Sequence, residues 1–163
     1  DVWGLQRDPD MARVVGDYRV PVVVMHNQDG TAYHHLMGDI FAFLQKSIGL
    51  AETQGLSGDQ IILDPGIGFG KTTEQNLEVM ARLAELKTLG HPVLLGASRK
   101  SMIGNTLNLA VNERLEGTLA TSVLGVVSGA DIIRVHDVKA NCRAIQMADA
   151  IVRGQRVGHH VGA

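Results

Sequence analysis

A chain of 163 residues with 45% hydrophobic and 20% charged side chains has the composition of one globular domain with a sizeable core, which argues against a disordered segment or a membrane protein. Fifteen Lys and Arg against 17 Asp and Glu leave a formal net charge of -2, so no basic surface marks a nucleic-acid partner and an anion must be held by a few placed cations. No apolar run approaches the roughly 20 residues that cross a bilayer, and the lone Cys142 excludes an intrachain disulfide and suits a reducing, cytoplasmic compartment.

The chain opens on Asp1-Val2-Trp3-Gly4 without a methionine, and a short helix is expected over residues 9–15. A strand follows at 20–25. Leu36, Ile40, Leu44 and Ile48 then keep one helical face. A second strand at 61–63 runs into the glycine-rich stretch Asp64-Pro65-Gly66-Ile67-Gly68-Phe69-Gly70-Lys71-Thr72-Thr73. The next helix, carrying Leu77, Met80, Ala81, Leu83 and Ala84, is entered through a Thr72-x-x-Gln75 capping box and closed by Gly90 and Pro92. A strand at 93–95, a helix at 112–127, a strand at 132–135 and a helix at 139–153 complete the series, and the tail 154–163 is expected to fray. The aliphatic strand runs have the composition of strands buried on both faces, and their starts lie about 30 to 40 residues apart, the size of a βα unit. The chain therefore reads as one domain, 1–163, of four βα units. Periodicity leaves open a doubly wound sheet or half of an eight-stranded barrel, and in either case ligands gather at the carboxyl ends of the strands.

Those ends read Met25-His26-Asn27, Asp64-Pro65-Gly66, Gly96-Ala97-Ser98-Arg99-Lys100-Ser101 and Arg134-Val135-His136-Asp137. The glycine-rich stretch fails as a triphosphate loop, because Pro65 stands where the first glycine is required, and it also fails the G-x-G-x-x-G dinucleotide pattern. It is either a plain βα turn or a place where absent side chains let a flat ligand approach, with Asp64 offering a carboxylate that needs a donor. Arg99 and Lys100 belong either to a solvated loop or to a pair of cations aimed into the mouth of a barrel. Arg134 and His136, two apart on a strand, share a face. An arginine in so apolar a run calls for an anion or a carboxylate partner, the first of which would make the pair an anion clamp.

The three runs containing Asp64 to Lys71, Gly96 to Ser101 and Arg134 to Val138 resemble signature motifs of dihydropteroate synthases, with Met25-His26 and Gly117-Thr118-Leu119-Ala120 between them. The resemblance covers nearly the whole chain. It implies about the carboxyl-terminal half of a TIM-type (β/α)8 barrel and a transferase of folate biosynthesis, inhibited by sulfonamides, that joins 6-hydroxymethyl-7,8-dihydropterin diphosphate to p-aminobenzoate and releases pyrophosphate. Carried over by motif, Lys100, Arg134 and His136 would be catalytic; Asp64, Lys100, Arg134, Met25, Gly96 and Val2 would bind the pterin. Gly68, Phe69, Arg99 and Ser101 would border p-aminobenzoate, and Arg134 with His136 would hold the diphosphate.

The resemblance also implies Mg²⁺, whose protein ligand, a first-strand asparagine, falls outside these residues. So do a third-strand pterin-binding aspartate and the loops that close over p-aminobenzoate, because Asp1 aligns just after the fourth strand. These 163 residues alone are therefore expected to lack synthase activity and to leave strand edges open. Small-molecule substrates are the expected partners, with neither nucleic acid nor membrane, in a homodimer. Other readings are a methyltetrahydrofolate-type pterin-binding methyltransferase, a nucleotide-binding module and a non-catalytic pterin-binding remnant.

Overall fold

The computed structural model describes residues 1–154, so the expectation for the tail lies, apart from Gly154, outside the described residues. Helix α1 (Met11–Tyr18) precedes strand β1 (Val22–Met25); α2 (Leu36–Thr53) leads to β2 (Ile61–Asp64), α3 (Thr73–Ala81) to β3 (Leu94–Leu95). Helices α4 (Ser101–Leu107) and α5 (Leu115–Val127), β4 (Ile132–Ile133) and α6 (Val138–Arg153) follow.

The strands stand side by side in chain order. Val22 to Met25 pair in parallel with Ile61 to Asp64, with Met25 opposite Asp64. A bridge between Leu63 and Val93 joins the second strand to the third, and Leu94 and Leu95 pair in parallel with Ile132 and Ile133. A parallel arc that never reverses its order is the wall of a (β/α) barrel, whereas a doubly wound sheet has a switch point. The alternative left open by periodicity is thereby closed.

Helices cover one side of the arc: α2 buries Met37, Ile40, Leu44 and Ala51 and α3 buries Val79 and Met80, whereas α5 turns Thr118, Ser122 and Gly125 inward and α6 Asn141 and Ala148. Ile40, Leu44, Ile61, Leu63, Leu83, Leu86, Leu95 and Met102 are fully enclosed between strands and helices. Helix α3 starts as the capping box requires, with Thr72 Oγ1 accepting from Gln75 N at 3.2 Å and Gln75 Oε1 accepting from Thr72 N at 2.8 Å. It ends at Ala81, and a 3-10 turn over Leu83–Leu89 leads to Gly90. Of the face expected from sequence, Met80 and Leu83 are buried but Leu77, Ala81 and Ala84 are exposed, the inward side being Asn76, Val79, Met80, Leu83 and Leu86.

Four expectations are corrected. The first strand begins two residues late, since Pro21 has no N–H to give a ladder and Val20 is exposed. The helix expected at 112–127 is a 3-10 turn, Val111–Glu113, followed by α5. Helix α4 occupies residues to which the sequence assigned no element. Strand β4 is shorter than 132–135 and is not buried on both faces, because Ile132 lies on the arc's open edge at 39% exposure.

Candidate active site

The loops after the four strands meet at one edge of the arc. Asp64 ends β2 and is 3% exposed, and its Oδ1 accepts from Gly66 N at 2.8 Å. Burial pushes its carboxyl above the usual carboxylate range, against the Gly66 N–H and the positive charges of Arg134, Lys100 and Lys71. Three cations from three different loops thus surround one sequestered acid. Met25, its neighbour across the ladder, is buried beneath the same loop.

The glycine-rich loop owes its path to close contacts. Gly66 has φ +71°, and a Cβ there would collide with the His26 carbonyl oxygen. At Gly68, φ +82°, a Cβ would stand 2.9 Å from Lys100 Cδ, so the bare backbone makes room for the lysine stem. Asn76 on α3, buried, accepts from Gly68 N at 2.7 Å.

Lys71 is turned inward. Its Nζ lies 2.9 Å from His26 Nδ1 and donates to the carbonyls of Gly66 and Phe69, both at 3.1 Å. Burial lowers its pKa to about 8, and burial together with the Lys71 charge lowers that of His26 to about 3. His26 is therefore a neutral acceptor packed edge-on to Phe43, with ring centroids 4.9 Å apart. A lysine bonded to its own loop has no free proton for a phosphate, so the nucleotide-loop reading is excluded by geometry as well as by Pro65.

Lys100 crosses to the β2 loop, where its Nζ sits 4.1 Å from the centroid of the Phe69 ring. Burial and the Arg134 charge hold its pKa below the ordinary lysine value, and Asp64 opposes them. Arg134 and His136 follow β4 and line, with Gly96, Ser98, Lys100 and Val135, a cavity of about 260 Å³. Gly96 leaves room there for the guanidinium, since a Cβ would stand 3.0 Å from Arg134 Nη2. Ser98 orients His136 twice, Oγ lying 2.9 Å from Nδ1 and accepting from His136 N at 3.1 Å.

Arg134 departs from expectation in one respect. It is exposed, and no carboxylate lies within ion-pair distance of it among the described residues. The carboxylate partner anticipated for it belongs instead to Arg99, whose Nη2 and Nε donate to Asp137 Oδ1 and Oδ2 at 2.7 and 3.0 Å. The exposed strand end leaves Arg134 in water, where its charge is not costly.

Asp64, Lys100, Arg134, His136 and Gly96 are thus brought together, with Gly68 and Phe69 on the adjoining loop. Ser101 is exposed at the start of α4. Val2, 51% exposed, does not line the 260 Å³ cavity and follows Asp1, whose carbonyl accepts from Met25 N of β1. His26, Lys71, Ser98, Asn76 and Asp137 were given no role by sequence; the contacts of His26 with Lys71, Ser98 with His136 and Asp137 with Arg99 span 38 to 45 positions, and that of Asn76 with Gly68 spans eight. Among the described residues no three His, Cys, Asp or Glu side chains converge as a metal cage. No described helix is long and apolar enough to cross a membrane.

Residues 1–136 match the family model described as pterin binding enzyme. The chain is 56% identical over 154 residues to a dihydropteroate synthase of Clostridium beijerinckii, covering 94% of this chain and 57% of the relative. It is 46% identical over 159 residues to that of Bacillus subtilis, covering 98% and 56%. The structure superposes with a TM-score of 0.92 and 55% identity on the dihydropteroate synthase of Clostridium difficile solved in the presence of pteroic acid, covering 94% of this chain and 59% of that one. The Yersinia pestis synthase in a sulfonamide drug complex gives 0.90 at 35% identity, with 95% and 59% covered. The chain therefore spans less than three fifths of the length of these relatives, and its arc is about half of a TIM-type barrel.

Proposed function

This chain belongs to the pterin-binding enzyme family, and we propose on that premise that it supplies the pterin and diphosphate subsites of a dihydropteroate synthase. In the reaction the amino nitrogen of p-aminobenzoate forms a bond to the methylene carbon of 6-hydroxymethyl-7,8-dihydropterin diphosphate, the carbon–oxygen bond to the diphosphate breaks, and a proton leaves the amine. The products are dihydropteroate and pyrophosphate.

One observation carries the reading. A carboxylate buried at a strand end, with three cations converging on it, suits a flat heterocycle that offers paired N–H donors on one edge and a lone pair on another. Asp64 would accept from the aminopyrimidine edge and Lys100 would donate to the ring. Met25 and Gly96 would line the slot, with Val2 at its rim. Arg134 and His136, neither in ion-pair reach of an acid among the described residues and both lining one cavity, would hold the departing diphosphate, where negative charge grows as the bond breaks. Gly68, Phe69, Arg99 and Ser101 would face the p-aminobenzoate side. A methyltransferase is not favoured, because a methyl donor has no leaving diphosphate for Arg134 and His136 and the relatives bear the synthase name.

Magnesium, if the whole protein uses it, would neutralise the diphosphate from outside this set of residues. A homodimer and a cytoplasmic location complete the proposal, and sedimentation of the expressed protein checks the first. The decisive experiment is calorimetric titration with the pterin diphosphate, with and without pyrophosphate, on wild type and Asp64→Asn. Binding that survives the substitution unchanged refutes the assignment.

A further inference from the structure

The turn after β3 holds a conformation that its sequence disfavours. Lys100 N donates to Ala97 O at 3.2 Å, closing a four-residue β-turn whose third residue, Arg99, has φ +55°, while Ser98 is not in the left-handed region. Positive φ at that place alone is the mark of a type II turn, where glycine or asparagine is preferred because a Cβ crowds the backbone.

Three contacts from outside the turn hold Arg99 there. Its N–H donates to Thr118 Oγ1 at 3.0 Å. Its carbonyl accepts from Arg114 Nη1 at 3.0 Å. Its guanidinium makes the two bonds to Asp137 already described. Asp137 immediately precedes α6, a position where aspartate commonly caps the helix with its side chain, yet it makes no such bond and turns to Arg99. The guanidinium of Arg114 is itself seated against Gly104 of α4, where no Cβ would fit. An unfavourable conformation fixed from three sides is a feature of sites in which direction matters, and the residue whose direction is fixed is the next one, Lys100.

We propose that Arg99 is a positioning residue and not a substrate contact: clamped by Asp137, Thr118 and Arg114, it holds the β3 turn so that Lys100 leaves it towards Asp64 and the Phe69 ring. This rests on the reading of Lys100 as a pterin-binding group, and it reassigns Arg99 from the p-aminobenzoate border.

Glycine adopts positive φ freely, whereas alanine keeps the Cβ and loses the clamp, so the two truncations separate the roles. In the protein as expressed from its own gene, Arg99→Gly should retain about 5- to 30-fold more kcat/KM for the pterin diphosphate than Arg99→Ala, the size of the left-handed penalty. The KM for p-aminobenzoate should move by less than about twofold in either. Equal losses in both variants, with the p-aminobenzoate KM raised, overturn the proposal, because a guanidinium that touches substrate is lost alike in both. Asp137→Asn keeps Arg99 but weakens the clamp and should reproduce the pterin-side loss. A wild type that binds no pterin diphosphate refutes the functional reading instead. The positioning role is then read from hydrogen exchange, where the Lys100 amide should exchange at least about fivefold faster in Arg99→Ala than in Arg99→Gly, and equal rates refute it.

Discussion

The Lys100 ammonium rests 4.1 Å from the centroid of the Phe69 ring, so a cation delivered by the β3 loop is seated on an aromatic face delivered by the β2 loop. Phe69→Leu keeps apolar bulk but removes that seat. A cation–π contact of about 0.5–2 kcal/mol predicts pterin affinity lowered by roughly 3- to 10-fold with little change in melting temperature, read by calorimetry and thermal unfolding.

Asp64→Asn should separate stability from function. Because burial raises the folded carboxyl above its ordinary value of 3.8, wild type loses stability as pH rises from that value through the folded one, and stays at the lower level above it. Asparagine has no charge to bury. The variant should melt at or above wild type near pH 7, the gap narrowing as pH falls towards about 4. Pterin binding should weaken by about 10- to 100-fold, the worth of a charged hydrogen bond.

Gly66→Ala and Gly30→Ala form a controlled pair. Both glycines have positive φ, +71° and +80°, but a Cβ at Gly30 meets nothing within 4 Å while one at Gly66 strikes the His26 carbonyl. The conformational penalty alone is about 1–2 kcal/mol, which is what urea unfolding should show for Gly30→Ala. Gly66→Ala should lose at least about 3 kcal/mol, as steric conflicts with backbone do.

His26 makes the fold acid-sensitive. It protonates at 6.5 when unfolded but only at about 3 when folded, so stability falls as pH drops between those values, by at most about 1.4 kcal/mol per unit. Lys71, Asp39, Tyr33 and Phe43 face it, and Asp39 only partly offsets burial. Between pH near 6.5 and pH near 5, wild type should lose up to about 2 kcal/mol more than His26→Gln in urea titrations.

The strands were legible because a buried parallel strand admits few residues other than aliphatic ones, and the site was legible because every strand of such an arc presents its carboxyl end on one side. Asp64, Lys100, Arg134 and His136 followed from that rule. Helix α4 was not legible: Gly104, Asn105 and Thr106 supply no apolar stripe, and the glycine is there to admit Arg114. Neither was the partner of Asp137. Arg99 stands 38 positions before it, and no periodicity announces a turn that arginine occupies in place of glycine. The Lys71 to His26 contact spans 45 residues and leaves no local trace at either end.

Each clamp joins neighbouring units of the arc and none reaches across it: Lys71 to His26 over 45 positions, Ser98 to His136 and Arg99 to Asp137 over 38. The entropy of closing such loops grows only as the logarithm of their length. A ribosome emitting this chain therefore meets the pieces of the site in a fixed order. Asp64 has the β1 strand and the Gly66 N–H once residue 71 has cleared the exit tunnel, its strand is completed on the other side by Pro92 and Val93, and the Lys100 turn must wait for Asp137, so the buried acid is placed before Lys100 and Arg134 can face it.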